Sequence, residues 1–228
     1  MNLTGTMMHL AAAAILFVGI HVVVSGTALR AVLVRAIGER AYLAAFSIAS
    51  GAAIFWLVAA YNRAPSLPLW HVPAFVWVAI VVMPIALFLF VAAFTARNPT
   101  VVGVPTPRPE AVPGVFRVTR HPFLWSVALW SAGHLLTNGD LASVVFFGAL
   151  LLLAIVGPFL IDAKRLAKDP EAWARFAAVT SNVPLAALLA GRARVTLAEL
   201  GWWRFAIAAI AFAALLHFHA PLIGVPVR

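Results

Sequence analysis

The chain has 228 residues, only 16 basic and 7 acidic, with 64% hydrophobic residues and a mean hydropathy of +1.02. A soluble domain is about 45–50% apolar and about a quarter charged, so this composition excludes an ordinary soluble protein and a disordered chain. The net charge of +9 does not point to nucleic acid. The basic residues cluster at Arg30–Arg40, Arg97–Arg120 and Lys164–Arg204, between long uncharged runs.

Those runs are 1–29, 41–62, 64–96, 121–139, 141–161 and 205–227. About 20 apolar residues cross a ~30 Å hydrocarbon core, so the sequence predicts an all-α integral membrane bundle of about six transmembrane helices. A β-barrel would instead show ~10-residue segments of alternating polarity. Six spans place all three basic clusters on one face. The positive-inside rule makes that face cytoplasmic, with both termini outside. The lipid bilayer is the expected partner, and nucleic acid is not.

The first helix is expected from about Leu3 to Ser25. It lacks a basic leader and reads as retained, not as a signal peptide. Thr27–Arg40 sets Leu29, Leu33 and Ile37 among arginines, the pattern of a short amphipathic interfacial helix. The second span, about Tyr42–Tyr61, is rich in small residues that allow close helix approach. Pro65, Pro68 and Pro73 make the next connection extended, and Trp70, His71 and Trp77 suit an interface. The third span, about Phe75–Thr95, contains Pro84 as a kink signal. A proline-rich loop follows from Asn98-Pro99 to Pro113-Gly114. Arg120-His121-Pro122 starts the fourth span, which stops at Asn138-Gly139. Asp140 caps the fifth, expected to run to about Ile161. Asp162–Arg175 reads as a charged helix. Phe176–Gly191, broken by Pro184, reads as either re-entrant or surface-lying. The sixth span covers about Trp202–Pro221. The whole chain, 1–228, reads as one membrane domain.

There is no cysteine, so disulfides, iron–sulfur clusters and thiolate haem ligation are excluded. No carboxylate falls at mid-membrane depth. The histidines His9, His21, His134, His217 and His219 fall within or at the ends of spans, where each is either partnered or functional. His134 shares a helix face with Trp130, which suits a haem wall and ordinary packing equally. Arg120-His121, with Arg117 nearby, forms a basic group at a helix N-terminus. It suits an anionic ligand, and equally a positive-inside anchor.

Several motifs together resemble the NnrU family of membrane proteins. They are Phe17-Val18-Gly19-Ile20-His21, Ser25-Gly26, Leu29-Arg30, Asn98-Pro99 and Thr119-Arg120-His121-Pro122. Leu129-Trp130, His134-Leu135, Asn138-Gly139-Asp140, Asp162, Thr180-Ser181 and Gly191-Arg192 complete the pattern. The resemblance covers roughly 7–192, leaving 193–228 as a C-terminal transmembrane helix. It implies a link to nitrite and nitric oxide reduction. The family is similar to 15-cis-zeta-carotene isomerase, which implies b-type haem on His21 and His134 and a haem-dependent isomerisation of a hydrophobic substrate. Ser131 stands where that enzyme has a cysteine. By the predicted spans, however, His21 matches the depth of His121, and His9 that of His134.

The run from Arg120-His121-Pro122 through Asp162 to Pro184 also resembles membrane methyltransferases that use S-adenosylmethionine. That resemblance implies a cofactor pocket at Arg120 and His121, although Leu124 and Ala163 depart from its pattern. A third expectation is a non-catalytic assembly partner of a respiratory membrane complex.

Overall fold

The computed structural model describes residues 6–101 and 103–225. The expected helix start at Leu3 and the chain termini lie outside the described residues. The first helix, α1 (Met7–Gly19), is capped by Thr6, whose side chain accepts from the His9 amide. It continues into a π-helical turn, Ile20–Val24, which contains His21. The expected amphipathic segment is α2 (Leu29–Ile37), which buries no residue and ends at Gly38 with φ +82°. The long helices α3 (Glu39–Tyr61) and α4 (Phe75–Thr95) follow. The proline-rich loop holds a 3-10 turn, Pro109–Ala111, and leads to the one-turn helix α5 (Gly114–Val118). Next come α6 (Pro122–Asn138), α7 (Leu141–Lys168) and α8 (Pro170–Ala178). Two single turns, α9 (Ala186–Leu189) and α10 (Leu197–Leu200), precede the last helix, α11 (Trp202–Ile223).

Five of these helices are long and apolar enough to cross a membrane: α1 with its π-turn, α3, α4, α7 and α11. The expected fourth span is α6, which has 17 residues. At 1.5 Å per residue it rises about 25 Å, slightly short of the hydrocarbon core. It nevertheless packs along its length between α4 and α7. The protein is therefore a multi-pass, all-α membrane bundle. Its outward surface is rich in exposed Phe, Ile, Leu, Val and Trp, as a lipid solvent requires.

Side-chain contacts fix the relative direction of the helices. His9 meets Trp56, and His21 meets Ser50, so α1 and α3 run antiparallel. Tyr61 at the end of α3 meets Ser143 at the start of α7. Arg204 at the start of α11 donates to Thr95 at the end of α4. Lys164 donates to Ser25. The three basic clusters thus share one end of the bundle, called the basic end below.

At the opposite end, the extended 62–73 connection docks on the α6–α7 turn. Leu69 and Trp70 amides both donate to the Gly139 carbonyl, and the Leu141 amide donates to Leu67. Gly139 has φ +60°, and a Cβ there would fall on the Trp70 carbonyl oxygen. This turn therefore requires glycine on two counts.

The fifth span differs from expectation. It does not stop near Ile161 but passes Pro158 and continues as α7 to Lys168, with no Gly or Pro between Ile161 and Asp169-Pro170. Asp169 then caps α8. Asp162 therefore sits inside a long, well-supported helix.

Candidate functional site at the basic end

The 176–191 segment, left open by the sequence, folds back on α5 and the start of α6. The Leu185 amide donates to the Val118 carbonyl, and the Arg120 amide to the Ser181 carbonyl. Leu185 has φ +66°, a left-handed conformation that is strained for leucine. The fold-back rests on a small apolar core of Val112, Val115, Phe116, Trp173, Phe176 and Ala92. Burial of Phe116 and Phe176 to 0% exposure supplies the energy that holds so polar a strip in place.

On that base the strip Thr119-Arg120-His121 is fully anchored. Thr119 Oγ1 donates to the Asn182 carbonyl at 2.7 Å. The Arg120 guanidinium donates to Thr180 O at 3.2 Å and to Asp162 Oδ2 at 2.8 Å. Arg192 reaches the same Thr180 carbonyl and those of Ala177 and Ala178. Trp125 Nε1 donates to Asn182 Oδ1. His121 is the N-cap of α6, followed by Pro122 at the first helical position.

His121 is only 2% exposed. Its Nε2 lies 2.7 Å from Asp162 Oδ1. A carboxylate held by Arg120 accepts, so Nε2 carries the proton and donates. That fixes the ring's orientation and its tautomer when neutral. The other ring nitrogen, Nδ1, is buried and has no hydrogen-bond partner among the described residues. Arg120 Nε is buried in the same state. Buried polar atoms are rarely left unpaired, so two adjacent cases mark this cluster.

His121 also lines a cavity of about 400 Å³. The cavity lies between α4, α6, α7 and the loop after α4. Ala93, Phe94, Asn98, Thr100, Val101, Phe123, Leu124 and Ile161 complete its lining. Arg165, one turn beyond Asp162 on α7, holds the loop by donating to the carbonyls of Val101 and Val104. One helix thus positions both the imidazole and the loop beside the cavity.

Of the five residues expected at a cofactor site, the structure brings Arg120 and His121 together, pairs Trp130 with His134 elsewhere, and leaves His21 apart from both. Trp130 lies nine residues further along α6, about 13 Å by helix rise. It contacts His134, with ring centroids 4.8 Å apart. His134 Nδ1 donates to the Trp130 carbonyl, and its ring stacks on Phe147. His21 lies elsewhere. Its Nδ1 donates to Phe17 O, and its Nε2 accepts from Ser50. Phe147 neighbours Tyr61, eleven residues beyond Ser50 on α3, which places His21 and His134 about 16 Å apart in depth. One iron with two axial histidines needs both nitrogens within about 2 Å of the metal. These two residues therefore do not fit a bis-histidine haem. Among the described residues, no three His, Asp or Glu side chains gather as a metal site.

A family model described as NnrU protein matches residues 9–227. The chain belongs to the NnrU family. The match takes in α11, which lies beyond the 7–192 stretch carrying the motif resemblance. No match was found among the curated proteins or the solved structures.

Asp162 is the residue that sequence reasoning passed over as a site member. It stands 41 residues from His121, at a helix position where a lone carboxylate reads as a span end. Thr180, Ser181 and Arg192 were visible as motif positions, but no local signal said that they converge on Arg120.

Proposed function

We propose that this NnrU-family membrane protein works at the His121–Asp162–Arg120 site, where it binds a small lipophilic molecule against the His121 ring, whose Nδ1 is the unpaired base of the cluster. The observation that carries the reading is the division of labour on one imidazole. Nε2 is committed to a carboxylate, while Nδ1 is buried, unpaired and part of a ring that lines a cavity. A histidine oriented by an acid is a recurrent proton-handling device. The positively charged end of the bundle supports placing the site on the cytoplasmic side of a bacterial inner membrane.

Asp162 holds the ring through Nε2 and is the counter-charge of Arg120. Arg120 pairs with Asp162 and clamps it to the 180–182 strip. Haem b is not part of this reading, because His21 and His134 lie about 16 Å apart in depth. S-adenosylmethionine would need Arg120 for its carboxylate, and that guanidinium is already engaged by Asp162 and Thr180.

The test is mass spectrometry of organic extracts from purified protein. A species retained by the native chain and lost from His121→Ala, at equal helicity, is the expected result. The same species retained in full by the variant refutes the proposal. Calorimetric binding of S-adenosylmethionine abolished by His121→Ala would favour the methyltransferase reading instead.

A further inference from the structure

We infer that the chain carries a second binding site at the basic end, where Lys164 and Arg30 together clasp the phosphate of an anionic phospholipid. The site is separate from the His121 cluster. Lys164 stands two residues beyond Asp162 on α7, about 200° around the helix, so the two side chains leave on opposite faces.

The corner between the π-turn and α2 builds the site. The Arg30 amide closes onto the Thr27 carbonyl, which keeps Ser25 and Arg30 within one compact turn. Lys164 reaches across from α7 and donates to the Ser25 carbonyl at 3.2 Å and to the Ser25 hydroxyl at 3.3 Å. Gly26 permits the close approach, because a Cβ there would strike the Val22 carbonyl oxygen and touch Leu160 of α7. Arg30 is held as well. Its guanidinium lies 5.4 Å above the centre of the buried Tyr42 ring, and its Nη2 donates to Glu39 at 3.2 Å.

Charge is out of balance at this corner. Lys164 is partly buried, and the charge that acts on its ammonium is another cation, Arg30. Among the described residues no carboxylate pairs with Lys164, whose partners are both on Ser25. Glu39 is 53% exposed and offsets Arg30 alone. A buried cation is ordinarily paired, so two cations sharing one exposed acid suit an anion from outside the chain. Donors for it remain. A guanidinium has five N–H groups, and Arg30 gives one to Glu39; an ammonium has three, and Ser25 takes two. A phosphodiester accepts on two non-bridging oxygens, and hydrogen bonds between ionised partners are the strong ones.

The surroundings make that anion a lipid. The basic end is the C-terminal end of both α1 and α7, so residues earlier in each helix lie deeper in the bilayer. One turn deeper than Lys164 is Leu160, and one turn deeper than Thr27 is Val23, whose carbonyl takes the Thr27 hydroxyl. Val23 is 54% exposed. The cations therefore sit above apolar surface that acyl chains can cover, which is the layering of a phospholipid. Basic pockets between helices on the cytoplasmic side are a recurrent place for acidic head groups.

The experiment is native mass spectrometry of the full chain in a neutral detergent, titrated with phosphatidylglycerol or with phosphatidylcholine of the same acyl chains. One phosphatidylglycerol should bind about tenfold more tightly than phosphatidylcholine. Lys164→Gln and Arg30→Gln should each weaken it about tenfold, whereas Lys164→Arg should retain it. Arg35→Gln removes an exposed arginine of the same helix and should change binding less than about twofold. Retention by Lys164→Arg and Arg35→Gln shows that loss elsewhere is not misfolding. Millimolar inorganic phosphate should leave the lipid bound. Its displacement would mean that the corner takes the free ion, which overturns the lipid assignment. Equal binding of the two lipids overturns the inference, as does an equal loss in Arg35→Gln, which would reduce it to diffuse attraction.

Discussion

Asp162 and His121 are 41 residues apart in sequence, and their side chains meet at 2.7 Å. The contact joins the last third of a long helix to the N-cap of the helix before it. It also lies at the end of the bundle where the basic residues gather, and the Asp162 carboxylate is shared between an arginine and a histidine.

Asp162→Asn should therefore destabilise the protein. It removes the counter-charge from Arg120, whose side chain is 13% exposed, and leaves one acceptor oxygen for two donors, Arg120 and His121. Breaking a buried pair costs about 3–5 kcal/mol, and the partial exposure of Asp162 places this case near the lower value. Thermal unfolding in detergent reads the loss. An unchanged midpoint would show that the pair contributes nothing.

Two glycines on neighbouring elements should respond in opposite directions. Gly139→Ala forces a left-handed backbone onto alanine and drives its Cβ into the Trp70 carbonyl, so about 2 kcal/mol or more is lost. Gly148, inside α7, has open space around a would-be Cβ. Gly148→Ala should gain up to about 1 kcal/mol from helix propensity. Unfolding midpoints of the two variants check both signs, and equal shifts would contradict the account.

Acid should loosen the clasp between α10 and α5. Glu199 accepts from the Thr196 amide and hydroxyl and pairs with Arg117. The Thr196 backbone contact, then its hydroxyl, then the Arg117 charge hold the Glu199 carboxyl below the usual glutamate range. A lowered folded value means a stabilising contribution that is present above the unfolded value and lost as pH falls through the folded one. Hydrogen exchange at the Thr196 amide should accelerate at low pH in the native chain and be fast at every pH in Glu199→Ala. Protection independent of both would refute this.

The separation of His21 from His134 predicts the outcome of haem supplementation. Purified chain expressed with added haem should not show the sharp reduced α and β bands of a six-coordinate, bis-histidine site. Such bands, lost in both His21→Ala and His134→Ala, would show that the two residues share an iron.

The fold was largely legible from the uncharged runs, because a membrane core tolerates few charges and helix ends carry turn signals such as Asn138-Gly139-Asp140. What the runs could not show was the length of α7. Its helix passes the first charge at Asp162 without a break. Half of the site was legible too, since Arg120-His121-Pro122 announces a helix start. The other half depends on the 176–191 fold-back, whose docking is written in buried carbonyls of Thr180, Ser181 and Asn182 and in no periodicity. The family resemblance pointed to His21 and His134, while the packing sets the two apart in depth, and the buried unpaired ring nitrogen is that of His121.

Nitrogen-15 spectroscopy of histidine-labelled protein in nanodiscs tests the central claim most directly. The neutral His121 ring should show a protonated Nε2, held by Asp162, and a bare Nδ1. A protonated Nδ1 with a bare Nε2 would contradict the account.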